Sequence, residues 1–259
     1  GSTGAVDKGK EIHDKVVSRG LLEKDIMLGT ALIDMYVKCC ALPKAREVLE
    51  ELPVRNVVSW NALIAGYAQH GRNMDALMWF EWMKYEGFSP DGITYASILK
   101  VCGEIHAIDK GRKIHEMIAR EESIGKSTLV LSALVDMYAK CGELEKALQI
   151  FDAMTFKSTA SWTALITGYV QHERFDEALD YFDKMQHDGF SPNNAIFLSI
   201  LKASGSIGDL NTGESIHAKI VKGGLLMKND FIGNALVDMY AKCGLLPIAQ
   251  QVFDKLSIQ

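Results

Sequence analysis

Cysteine is scarce and poorly placed for chemistry: the 259-residue chain has five, Cys39, Cys40, Cys102, Cys141 and Cys243, with no C-x-x-C pair among them. An odd number without close pairs excludes a disulfide framework and the zinc motifs built on paired ligands. The thiols are expected to pack as small buried side chains between helices. No apolar run approaches the roughly 18 residues that a bilayer span requires, so no membrane segment is legible. Cations are in the minority, 28 Lys and Arg against 33 Asp and Glu for a net charge of −5. That is not the balance of a protein that grips duplex DNA through its phosphates. Nucleic-acid recognition would have to come from local geometry, as in the reading of a single strand.

What the chain does have is repetition, at a spacing of 102 residues. Met35-Tyr36-Val37-Lys38-Cys39 returns as Met137-Tyr138-Ala139-Lys140-Cys141 and as Met239-Tyr240-Ala241-Lys242-Cys243. Ser59-Trp60 returns as Ser161-Trp162, Ser89-Pro90 as Ser191-Pro192, and Ile12-His13 as Ile114-His115 and Ile216-His217. Copies kept in step imply stacked units that share a core with their neighbours, not a single globular interior.

A finer phase divides each period in three. Setting boundaries by it gives units 26–56, 57–91, 92–127, 128–158, 159–193 and 194–229, with a partial unit at 1–25 and a truncated one at 230–259. The chain is expected to begin inside a repeat, with Gly1-Ser2 resembling a cloning remnant and any leader lying upstream. Each unit reads as two antiparallel helices. Trp60, Leu63, Ile64 and Tyr67 fall at helical spacing, and Ala76, Leu77, Phe80 and Met83 form a second stripe after Gly71. Ala147, Ile150, Phe151 and Met154 repeat that second stripe. No segment alternates as a strand would. The five prolines all sit at junctions: Pro43 and Pro247 where second helices start, Pro53, Pro90 and Pro192 beyond their ends. The expected class is all-α.

Several segments carry a family resemblance: "NALIAGYAQHG" (61–71), "EGFSPD" (86–91), "KGRKIHEMI" (110–118), "SALVDMYAKCGELEKALQIFDAM" (132–154) and "NALVDMYAKCG" (234–244). Together they resemble pentatricopeptide repeat proteins of the plant PLS class, in which short (S), standard (P) and long (L) repeats alternate, and the likeness covers the whole chain. It implies a right-handed superhelical solenoid with a partial L repeat at 1–25, S at 26–56, P at 57–91, L at 92–127, S at 128–158, P at 159–193, L at 194–229 and a truncated S from 230. The tetratricopeptide family shares the helix pair, but its signature residues do not recur here.

The resemblance further implies that each repeat meets one base of single-stranded RNA through its fifth residue and the residue that closes it. Thr30 with Asn56, and Thr163 with Asn193, resemble the adenine-reading combination; Asn61 with Asp91 resembles the uracil-preferring one. Ser132 with Ser158 departs from the pattern, because the closing residue is usually Asn or Asp. Ala96 with Ser127 and Leu198 with Asn229 depart further, since neither Ala96 nor Leu198 can hydrogen-bond a base. Asn234 hints at a pyrimidine. The second residue of a repeat is expected to sandwich the base, which assigns Met27, Val58, Leu129, Ala160 and Phe231. Lys38, Lys140 and Lys242 are candidates for phosphate contact.

Each assignment has a local alternative. Thr, Asn and Asp belong at helix N-termini on capping grounds alone, and a lysine near a helix C-terminus complements its dipole. What favours base reading is variation: the apolar positions are copied between units while Asn61 becomes Thr163 and Asp91 becomes Asn193. His13, His115 and His217 lie in separate repeats and cannot converge on one substrate atom, so they are assigned to packing or capping. The family often ends in a zinc deaminase with H-x-E and C-x-x-C elements, and none occurs in this chain. The chain is therefore expected to be no enzyme and to need no cofactor or metal. It would act as a monomer that supplies the address for organellar C-to-U RNA editing or RNA processing, in mitochondrion or chloroplast. The competing reading is a protein-binding scaffold that docks editing cofactors through its long repeats.

Overall fold

The computed structural model describes residues 2–22, 25–226 and 230–257. Among them are sixteen helices and no strand. The chain divides into two compact units, 1–137 and 138–259, with the division inside the ninth helix. The first contains α1 (Ser2–Ser18), α2 (Ile26–Lys38), α3 (Leu42–Glu51), α4 (Val57–Gln69), α5 (Asn73–Tyr85), α6 (Gly92–Glu104), α7 (Ile108–Ala119), the single turn α8 (Glu122–Gly125) and most of α9 (Thr128–Lys140). The second holds α10 (Leu144–Ala153), α11 (Thr159–Gln171), α12 (Phe175–His187), α13 (Asn194–Ile207), α14 (Leu210–Lys222), α15 (Asp230–Lys242) and α16 (Leu246–Ser257).

Packing follows one rule in both units. A first helix touches its own second helix and the first helix of the next repeat: α2 packs on α3 and α4, and α4 on α5 and α6. In the second unit α11 packs on α12 and α13, and α13 on α14 and α15. First helices start on side-chain caps. Asp25, Asn56, Asp91, Ser158 and Asn193 each accept from a backbone N–H one turn in, a contact whose loss typically costs about 1 kcal/mol. They end in a left-handed residue that reverses the chain: Cys40, Gly71, His106, Gly142, Glu173, Gly208 and Gly244 all have positive φ. Cys40 is consequently exposed at a turn and not packed between helices as expected, and Cys39, Cys141 and Cys243 are half-buried.

The copied words are the copied interior. Trp60 and Trp162 are 1% and 2% exposed, with ring centroids 6.0 and 6.2 Å from Phe88 and Phe190. Gly66 lies so close to the preceding repeat that a Cβ there would stand 2.4 Å from a Val37 methyl, and one at Gly168 would stand 2.5 Å from the Ala139 Cβ. Beside these close approaches His70 Nε2 donates to the Val37 carbonyl at 2.8 Å and His172 Nε2 to that of Ala139 at 2.9 Å. Each histidine thus adds a second donor to a carbonyl at the end of a neighbouring helix, which also accepts from the N–H of the turn residue, Cys40 or Gly142. His13 and His217 pack edge-on against Tyr36 and Tyr240 with Nδ1 3.2 and 2.8 Å from the phenol oxygens.

Two further details differ from the sequence expectation. Met154 is buried but caps α10 in extended conformation instead of continuing it. The extra turn α8, closed by Ile124 N–H donating to the Glu121 carbonyl at 3.0 Å, takes up residues of the long unit 92–127 that periodicity left as a connection.

Candidate nucleic-acid interface

The residues singled out for base reading occupy two structural places. One is the second turn of a first helix, and the other is the N-cap of the next repeat's first helix. Packing of α4 on α6 and of α11 on α13 brings these places together, and the chemistry then depends on which side chains stand there.

In residues 57–91 the pair is tightly bonded. Asn61 Nδ2 donates to Asp91 Oδ1 and Oδ2 at 2.9 and 3.0 Å. Asp91 Oδ1 also accepts from the Ile93 and Thr94 N–H groups, both at 2.9 Å, so the same carboxylate caps α6. The Thr94 hydroxyl donates to Asn61 Oδ1 at 2.5 Å. Asn61 is buried at 7% exposure and Thr94 is fully buried.

In residues 159–193 the pair is open. Asn193 Nδ2 donates to Thr163 Oγ1 at 3.0 Å, and Thr163 Oγ1 donates back to the Thr159 carbonyl at 2.6 Å. Asn193 Oδ1 accepts from Ile196 N–H at 3.0 Å. Asn193 is exposed and Thr163 half-buried, with the fully buried Ile196 where the other copy has Thr94.

The other predicted residues are engaged locally. The Thr30 hydroxyl faces the Ile26 carbonyl at 3.4 Å, and Asn56 forms a capping box with Ser59, its Oδ1 accepting from the Ser59 N–H at 2.8 Å. Ser132 donates to the Thr128 carbonyl at 2.7 Å, and Ser158 caps α11 through Ser161 N–H at 3.1 Å. Those two serines stand in different compact units. Asn234 is exposed, Ala96 and Leu198 are half-buried, and Asn229 lies outside the described residues.

The second position of each repeat is a surface position throughout. Met27, Val58, Leu129 and Phe231 are between 53% and 75% exposed, and Ala160 is exposed too. Sequence reasoning passed over Ile93, which is 54% exposed at the same offset in 92–127, and the exposed Ala195 in 194–229. The signal was available, since both follow the first residue of a first helix. One exposed side chain stands at this offset in each of the seven repeats, large and apolar in five; in 57–91 and 159–193 it neighbours the polar pair, an arrangement that can stack on a planar ring while its neighbours meet the ring's edge.

Lys38 and Lys242 each stand 2.7 Å from an aspartate one turn earlier, Asp34 and Asp238. Such exposed i,i+4 pairs contribute only about 0.3–0.5 kcal/mol, so these ammonium groups could be redirected at little cost. Lys140 is half-buried. Among the described residues no group of three or more His, Cys, Asp or Glu could hold a metal ion, and no helix is long and apolar enough to cross a membrane.

Comparison with known proteins identifies the repeat. A model described as the PPR repeat family matches residues 55–104 and 157–203, and one described as the PPR repeat matches 30–57, 130–158 and 234–257. A chloroplastic pentatricopeptide repeat-containing protein of Arabidopsis thaliana is 36% identical over 248 residues, 96% of this chain and 40% of the relative. A mitochondrial one from the same plant is 37% identical over 251 residues, 97% of this chain and 24% of the relative. This chain thus spans less than half the length of either. Among solved structures, the maize pentatricopeptide repeat protein PPR10 in complex with an 18-nt psaJ RNA element superposes with a TM-score of 0.72 at 20% identity, covering 100% of this chain and 38% of that one.

Proposed function

The chain belongs to the pentatricopeptide repeat family, and from that premise we propose that it binds single-stranded RNA sequence-specifically, one base per repeat. It would do so as the address-reading part of a C-to-U editing or RNA-processing factor, with any chemistry supplied elsewhere. The observation that carries the reading is the convergence of the fifth residue with the next N-cap, Asn61 on Asp91 and Thr163 on Asn193, beside the exposed Val58 and Ala160. A base stacked at the second position would present its edge to that pair. The fixed succession of short, standard and long repeats supports the PLS assignment. The chloroplastic and mitochondrial relatives support work in one of those organelles.

The test is a gel shift with short RNAs carrying adenine, uracil, two free positions and adenine from 5′ to 3′. Replacing the final adenine by guanine should weaken binding by about 1–3 kcal/mol if one good base contact is lost. Equal binding to every sequence contradicts base reading and favours the second reading, a protein-docking scaffold. That alternative draws support from α5, where Met74, Met78, Trp82 and Tyr85 are exposed along one face.

A further inference from the structure

We infer that Lys202 binds a phosphate of the RNA strand, with Lys100 as its weaker counterpart, so that the long repeats 194–229 and 92–127 hold the backbone where they read no base. The inference rests on the placement of RNA along the first-helix face proposed above. That face is a narrow stripe. Between Ala195 and Ser206 of α13 the residues that escape burial are Ala195, Leu198, Lys202 and Ser206, at i, i+3, i+7 and i+11. Between Ile93 and Glu104 of α6 they are Ile93, Ala96, Ser97, Lys100 and Glu104. Each lysine thus stands one turn, about 5.4 Å, beyond the fifth residue of its repeat and on the same stripe as the second. Leu198 and Ala96 have no polar group for a base edge. One turn further along, the stripe carries the charge that a phosphate attracts.

The repeats differ by class at this ninth residue. The short ones carry Asp34, Asp136 and Asp238, the standard ones Ala65 and Thr167, and the long ones Lys100 and Lys202. Asp34 and Asp238 each pair at 2.7 Å with the lysine one turn later, so those charges cancel locally. Lys202 is the one charged residue of α13, with Ser206 a turn later, and among the described residues no ion pair engages it. Lys100 has Glu104 in that place at 3.9 Å, the outer limit of an ion pair, which makes it the weaker anchor. A phosphate contact fixes where a strand lies without reading its sequence. That is the contribution left to a repeat whose fifth residue is Leu or Ala.

The experiment measures Kd against KCl concentration, with adenine opposite 159–193, for the wild type, K202Q, K100Q and K113Q. Lys113 is the control, because it is exposed on the second helix α7 and its loss changes the net charge equally. Losing one phosphate contact on a single strand should lower the slope of log Kd on log salt by about 0.7 in K202Q. K100Q should lower it by less, and K113Q should leave it unchanged. A single uncharged methylphosphonate linkage, walked along the RNA, should weaken the wild type severalfold at one position opposite 194–229 and leave K202Q unaffected there. A K202Q slope equal to that of K113Q, or a linkage scan identical in K202Q and wild type, overturns the inference. Base reading fails by a different result: a wild type that binds adenine and guanine opposite 159–193 equally overturns that proposal, while a slope that still falls in K202Q upholds the backbone anchor.

Discussion

Residues 57–91 and 159–193 build the same interior twice. Trp60 and Trp162 are buried against Phe88 and Phe190, Gly66 and Gly168 admit the preceding helix, and His70 and His172 reach back to its carbonyl. The polar pairs then part: Asn61 is closed into a network with Asp91 and Thr94, while Asn193 and Thr163 stand more open. The outer faces part as well. Met74, Met78, Trp82 and Tyr85 of α5 are replaced in α12 by Asp176, Asp180, Lys184 and His187, all exposed. The packed Trp, Gly and His positions are held constant, while the polar pair, its buried neighbour Thr94 or Ile196, and the outer face change, and that change is where recognition can be written.

The largest effect should come from the shared interior. Trp60→Ala and Trp162→Ala should each cost about 3–5 kcal/mol, read as a shift in urea or thermal unfolding, and by similar amounts. A large inequality would break the equivalence of the two cores. The turns offer a sharper contrast, because Gly71 (φ 68°) and Glu173 (φ 60°) occupy the same left-handed position. Glu173→Gly should stabilise by about 1 kcal/mol and Gly71→Glu destabilise by as much, since the left-handed conformation costs a residue with a Cβ.

Exchanging the second residues should move RNA affinity without touching base choice. Val58→Ala should weaken binding and Ala160→Val strengthen it, each by less than about 1 kcal/mol of partly buried apolar contact. Smallest of all, Met74→Asp with Tyr85→His, residues 71% and 86% exposed, should leave stability within about 0.5 kcal/mol and RNA affinity unchanged. A loss of RNA affinity in that variant would place the nucleic acid on the wrong face.

The all-α class and the helix pairs were legible because period and apolar spacing agree: Leu63, Ile64 and Tyr67 are buried where the stripe puts them. Asn61 and Asp91 could be named, but their mutual bond could not, because it depends on how closely consecutive first helices approach. Thr94 was invisible for a plainer reason. Ser59 and Ser161 occupy the same third position as ordinary cap partners, and nothing in a one-dimensional pattern distinguishes a hydroxyl that also reaches the preceding repeat. The outer stripe of α5 was hidden by excess, since apolar residues all round the helix blur which face is buried. Ile93 and Ala195 were missed although their offset was already in hand.

Exchange of one polar pair for the other tests base reading most directly. N61T/D91N should be titrated against RNAs carrying adenine or uracil opposite 57–91. Preference should turn from uracil to adenine by about 1–3 kcal/mol, with the wild-type preference for adenine opposite 159–193 retained. If N61T/D91N keeps the uracil preference, or if both RNAs bind it and the wild type equally well, the pair does not read the base.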